Sequence, residues 1–240
     1  MRILTLILAA MLLSGSAQAA TADEDVARYV TIFNGETGAH NDAVESLAWM
    51  GISDTRLYDV IEKRLLDESE AAKNDKYAKD RVARYIRALG FSGQAKYLPT
   101  ITRYLTDRAY ERYAKVAQKE LPQYQVWNPI ISNRANFDPK NSDEANRVLN
   151  MLRADDFALK KIGAKRVYFA TQDDAVLEVL AQNLRANYMR NDRVYSDDIA
   201  WMVKALGMAR NPKYRPLIEE VASKAPDTKV ADYAKRALNN

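Results

Sequence analysis

Apolar residues recur along most of this chain at the spacing of an α-helix. Ala78, Val82, Tyr85, Ile86 and Leu89 step by 4, 3, 1 and 3, and Ile199, Met202, Val203 and Leu206 step by 3, 1 and 3. Each set makes a single stripe on a helix of 3.6 residues per turn. No alternating run of β-branched residues bounded by hairpin turns interrupts the pattern. Helices are therefore expected at 24–33, 40–50, 54–71, 76–89, 94–106, 109–121, 142–153, 156–170, 174–189, 196–207, 213–224 and 227–238. Between them, Pro122 to Asn141 reads as an irregular loop, the only long one.

The stripes repeat. When Gly51, Gly90 and Gly207 are aligned, Met50, Leu89 and Leu206 stand one residue before, Leu47, Ile86 and Val203 four before, and Ala43, Val82 and Ile199 eight before. Seven residues after come Tyr58, Tyr97 and Tyr214, and nine after come Val60, Pro99 and Pro216. A striped helix, a glycine stop in the left-handed conformation and a short turn would lead into a second helix, whose early proline lacks only a donor that is unpaired there in any case. One such pair cannot bury its stripe alone, so neighbouring pairs must stack.

Ala88-Leu89-Gly90 followed by Tyr97-Leu98-Pro99 resembles a HEAT-like repeat unit. So does Ala205-Leu206-Gly207 followed by Asn211-Pro212 and Arg215-Pro216-Leu217-Ile218, and Val230 to Leu238 is similar to the first helix of another unit. The resemblance covers about half of the chain beyond residue 19 and implies an all-α, right-handed solenoid of about five to six helix pairs. Such repeats serve many roles, so the resemblance carries no catalytic residue with it.

The N-terminus follows different rules. Arg2, the unbroken apolar run Ile3 to Leu13, the break at Ser14-Gly15-Ser16 and the small-x-small Ala17-Gln18-Ala19 have the layout of a secretory signal peptide. The run is shorter than the roughly 20 apolar residues that span a bilayer. Residues 1–19 are thus expected to direct export and be removed, leaving 20–240 as one periplasmic or secreted domain with no integral membrane segment. The absence of cysteine excludes disulfides, thiolate metal sites and cysteine nucleophiles. The net charge of +4 is small and its signs are interspersed, which argues against nucleic acid as the partner.

Chemistry-bearing patterns are weak. His40, the only histidine, falls at a helix start. The pairs Asp155-Asp156, Asp173-Asp174, Asp197-Asp198 and Asp143-Glu144 do the same, where free backbone N–H groups and the helix dipole favour acids without any metal. Gly35-Glu36-Thr37-Gly38 lacks the Lys-Ser/Thr of a phosphate loop. Nothing calls for a cofactor, a metal or catalysis. The expected function is a non-catalytic scaffold or adaptor that binds a protein or peptide along its helical surface. Tyr124, Trp127, Arg134 and Phe137, on the 122–141 stretch, are its candidate contact residues, either tucked onto the scaffold or turned to a partner. The alternatives are an enzyme of the cell envelope with acidic groove residues, and a binder of anionic polymer or membrane surface through Lys160, Lys161, Lys165 and Arg166.

Export predicts a mature chain that starts at Ala20. Intact-mass analysis of the protein recovered outside the cytoplasm checks this, and a mass that retains Met1 refutes it.

Overall fold

The computed structural model describes residues 21–170 and 172–239. The proposed export segment at 1–19 lies outside these residues. The fold is all-α: twelve α-helices, with no strand among the described residues. They are α1 (Ala22–Asn34), α2 (His40–Met50), α3 (Thr55–Glu68), α4 (Lys76–Phe91), α5 (Leu98–Arg103), α6 (Glu111–Ile131), α7 (Asp143–Arg153), α8 (Phe157–Phe169), α9 (Asp174–Asn187), α10 (Ser196–Met208), α11 (Arg215–Lys224) and α12 (Thr228–Leu238). Short 3₁₀ turns lead into several of them, as Ala95–Tyr97 does into α5 and Pro212–Tyr214 into α11.

Packing follows chain order. α3 lies on α4, α5 on α6, α7 on α8, α9 on α10 and α11 on α12. Helices also pack on the next but one: α1 on α3, α2 on α4, α4 on α6, α7 on α9, α8 on α10 and α10 on α12. The stripes point inward: Leu47, Ile86 and Val203, equivalent in the repeat, are all fully buried. Acidic caps start several helices. Asp54, Asp75, Asp156, Asp173 and Asp227 each accept a backbone N–H from the first turn that follows.

The repeat tyrosines are buried as well, and two of them share one device. Tyr97 donates to Asp59 on α3 at 2.7 Å, and Lys96 pairs with the same carboxylate at 2.5 Å. Tyr214 reaches Glu178 on α9 at 3.4 Å, and Lys213 pairs with it at 2.6 Å. A Lys-Tyr step entering α5 or α11 thus grips an acid on the helix before the preceding one, α3 or α9.

Two expectations change. The stretch 122–141 is not one loop, because α6 continues through Pro122 and Pro129 to Ile131, and residues 132–142, which include a 3₁₀ turn at Arg134–Asn136, are all that lies outside α-helix before α7. Proline in a helix interior removes the bond to the carbonyl four residues back. Here both prolines are exposed, and the released carbonyls belong to exposed Gln118 and Gln125, where water reaches them. The opposite face buries Ala114, Ala117, Leu121, Tyr124, Asn128 and Ile131, an uninterrupted helical stripe whose burial outweighs the two lost bonds.

The repeat glycines also differ from one another. Gly51 ends α2 in the left-handed conformation at φ 70°, as expected. Gly90 and Gly207 stay helical, and the left-handed residue comes three positions later, at Gly93 (φ 65°) and Arg210 (φ 49°). Gly90 is needed for close approach: a Cβ there would stand 2.8 Å from the Cα of Ala117 on α6. A Cβ at Gly207 would stand 2.5 Å from the Cβ of Ala237 on α12. These glycines mark helix crossings.

Gly90→Ala separates crossing from propensity. An ordinary helical site would gain about 0.8–1.0 kcal/mol from the exchange. At this crossing the added methyl meets backbone, and a net loss of about 1–3 kcal/mol is expected in urea melts. A more stable variant would mean that α4 and α6 are not in backbone contact there.

Candidate functional site

The helix rows leave a groove of about 740 Å³ between α2 and α8, with α4 and α6 as its floor. The α2 wall presents Asp42, Glu45 and Trp49 on one helical face. Phe91 comes from the end of α4, and Tyr124 and Trp127 come from α6. Lys161, Lys165 and Arg166 form the opposite wall on α8, which ends in Phe169, 70% exposed at the rim. An aromatic floor thus separates an acidic wall from a basic one.

Hydrogen bonds fix the floor. Tyr124 Oη donates to the carbonyl of Ala48 on α2 at 3.0 Å, and Trp127 Nε1 donates to Asp156, the N-cap of α8, at 2.9 Å. Burial pushes the Tyr124 hydroxyl well above its ordinary pKa, so it stays a donor. Arg87 pairs with Glu120 at 3.1 Å, while its Nε is buried with no acceptor among the described residues. Across the groove, the Arg166 guanidinium lies 4.0 Å from the centre of the Trp49 ring, a cation–π bridge from α8 to α2.

The cations of α8 are not equivalent. Lys160 leaves the groove to donate to Asn183 on α9 at 2.7 Å. Lys161 sits 2.5 Å from Asp197 and 3.1 Å from Asp198. Hydrogen bonds from Lys161 and Lys229 hold the Asp197 carboxyl down at about 2. Burial raises the Asp198 carboxyl, against the pull of Lys161. Arg166 bonds Glu144 at 2.6 Å. Lys165 is half-buried and makes no ion pair among the described residues; burial and the neighbouring Lys161 lower its pKa.

The four residues expected at a partner contact divide into two places. Tyr124 and Trp127 form the groove floor and belong to the core, with 3% and 5% of their surface exposed. Arg134 and Phe137 lie elsewhere, on the short loop after α6. Arg134 pairs with Asp25 of α1 and Asp143 of α7, both at 3.3 Å. The Phe137 ring lies 5.3 Å from its guanidinium and 5.9 Å from that of Arg147. That cluster ties the first helix to the seventh. The residues missed in sequence are Asp42, Glu45, Trp49, Arg87 and Phe91. Their helical spacing was visible, but only the fold brings four helix faces, those of α2, α4, α6 and α8, around one groove.

No group of three or more His, Asp or Glu among the described residues is placed to hold a metal. No described helix is long and apolar enough to cross a membrane. Comparison with family profiles, curated proteins and solved structures finds no match.

His40 is fully buried and away from the groove. Its Nε2–H donates to the carbonyl of Ile32 at 3.0 Å, which leaves Nδ1 to accept from Tyr85 Oη at 2.5 Å. Burial lowers its pKa below the ordinary 6.5. Protons therefore bind the unfolded chain more readily, and the stability this site contributes is complete above pH 6.5 and is lost as pH falls below it. Urea midpoints between pH 7.5 and 5.5 should fall for the wild type and stay flatter for His40→Gln. Parallel profiles would show that the histidine does not titrate differently on folding.

Proposed function

We propose that this chain is an exported, non-catalytic scaffold: a right-handed solenoid of helix pairs whose groove between α2 and α8 receives an extended segment of a partner protein. The carrying observation is the groove itself, with an aromatic floor between walls of opposite charge. Its volume lies in the range of ligand sites, which are concave, largely apolar and furnished with a few polar groups that set orientation. A peptide backbone brings donors and acceptors suited to both walls. Next-but-one helix packing and the recurring Lys-Tyr grip support the solenoid reading.

The enzyme reading draws less support. Glu45 is engaged by Arg84 and Glu120 by Arg87, so two of the three groove carboxylates already serve ion pairs. The expected acid pairs act at helix starts instead: Asp156 and Asp173 are caps, and Asp143-Glu144 and Asp197-Asp198 sit in first turns.

A photocrosslinking residue tests the groove. Placed at Gln123, on the groove lining, it should give protease-sensitive adducts in cells that export the chain. Placed at Lys63, 75% exposed on α3, it should give none. Equal adducts from both positions, or none from Gln123, would overturn the assignment.

A further inference from the structure

Beyond the groove, three helices carry a chain of alternating cations and rings. Lys165 Nζ on α8 lies 5.1 Å from the centre of the Trp201 ring on α10. Lys204 Nζ lies 4.1 Å from that ring and 4.3 Å from the Tyr233 ring on α12. The Arg236 guanidinium lies 5.3 Å from Tyr233. A second cavity, of about 380 Å³, opens over this ladder and is lined by Tyr168, Lys204, Arg210, Tyr233 and Arg236. No carboxylate lines it. Among the described residues, Lys165, Lys204, Arg210 and Arg236 form no ion pair.

About half of the cations among the described residues are in ion pairs. Here three that are not, Lys165, Lys204 and Arg236, are held in place by rings, and Arg210 stands beside them on the cavity wall, which suits an anion in charge and geometry. Cation–π contact fixes an ammonium without neutralising it, so the charge remains available.

We propose that the ladder binds an acidic, extended peptide segment that leaves the groove at Lys165 and runs towards Arg236. This rests on the groove being a peptide site, because Lys165 belongs to both. Packed helices lie 8–10 Å apart, so one rung comes about every 10 Å. An extended chain rises about 3.3 Å per residue, and an acid at every third position meets successive rungs. A nucleic-acid strand carries a phosphate about every 3.4 Å of duplex axis, a charge density that this spacing leaves largely unmatched. The Trp201 and Tyr233 rings already carry cations, which leaves a base less of their surface on which to stack.

Fluorescence anisotropy with a labelled peptide of four Glu-Ser-Ser repeats tests the idea on the mature chain. The peptide should bind at low salt and weaken as salt rises. Arg236→Gln, an exposed change that spares the core, should weaken it about tenfold. Lys204→Gln should do the same and Lys204→Arg should restore binding. Lys63→Gln should change nothing. The proposal is overturned if the peptide does not bind, if Arg236→Gln and Lys204→Gln bind as the wild type does, or if polyphosphate, oligo-dT or phosphatidylglycerol vesicles bind as tightly at equal charge. The two claims fail separately: a Gln123 adduct without peptide binding removes the ladder and leaves the groove, and peptide binding without the adduct does the reverse.

Discussion

Everything near the groove depends on how closely α6 is seated against the ends of α2 and α4. Three glycines allow it. A Cβ at Gly51 would stand 2.8 Å from Ile131 Cβ, at Gly90 2.8 Å from Ala117 Cα, and at Gly93 2.5 Å from the backbone nitrogen of Gln125. Each contact is closer than a side chain permits, so the α6 backbone lies in a notch cut by absent side chains. Asn128 then closes the notch. Its buried amide nitrogen stands 3.3 Å from the Ile52 carbonyl, 2.9 Å from that of Phe91 and 3.1 Å from that of Ser92. One side chain thereby serves carbonyls at the ends of two helices; the Ile52 carbonyl also accepts from Tyr58 Oη at 2.9 Å.

That seating sets the groove floor. Tyr124 and Trp127 lie on the same helix, within one turn of Asn128, so the notch that fixes Asn128 also fixes both rings. Their polar ends then tie the floor to each wall, Tyr124 to α2 and Trp127 to the cap of α8. A separate clamp holds α1 against α7. Asp25, 4% exposed, meets Arg28 at 3.0 Å, Arg134 at 3.3 Å and Arg147 at 2.5 Å. Desolvation of such a cluster offsets much of its attraction, so its net stabilisation is small compared with the cost of losing one member. Its effect is on geometry: the buried Asp25–Arg147 pair sets where α1 sits relative to α7.

Much of the helical order was legible from stripes alone, because each helix buries one face and the 3.6-residue period records it. The acid pairs at helix starts were legible for the same local reason, since a cap involves only the next three residues. Residues 122–131 were misread because proline carries a strong local penalty, while the compensating stripe from Ala114 to Ile131 acts through tertiary burial. Gly90 and Gly207 were misread because a glycine that stops a helix and a glycine that lets two helices touch look alike in one dimension. The groove could not be read in advance: Asp42 and Phe169 line one cavity from opposite ends of more than half the chain. Of the expected contact residues, Tyr124 and Trp127 reached it because they share a helix face, and Arg134 and Phe137 did not because they follow the helix end.

Charge shows why a composition with a small net value can still hold a directed surface. On α3 and α11, cations sit beside acids of their own helix, Lys63 with Asp67, Arg215 with Glu219 and Lys224 with Glu220. Such pairs are solvated and contribute little energy, but they cancel the field of those faces. Along α8, α10 and α12, Lys160, Lys165, Lys204 and Arg236 have aromatic neighbours in place of acids, whereas Lys161, Arg166, Lys229 and Lys235 are paired. A ring holds a lysine in position almost as an acid would, yet leaves its field uncancelled. The whole chain is nearly balanced, yet the cavity over α10 and α12 is lined by Lys204, Arg210 and Arg236 with no carboxylate among its lining residues.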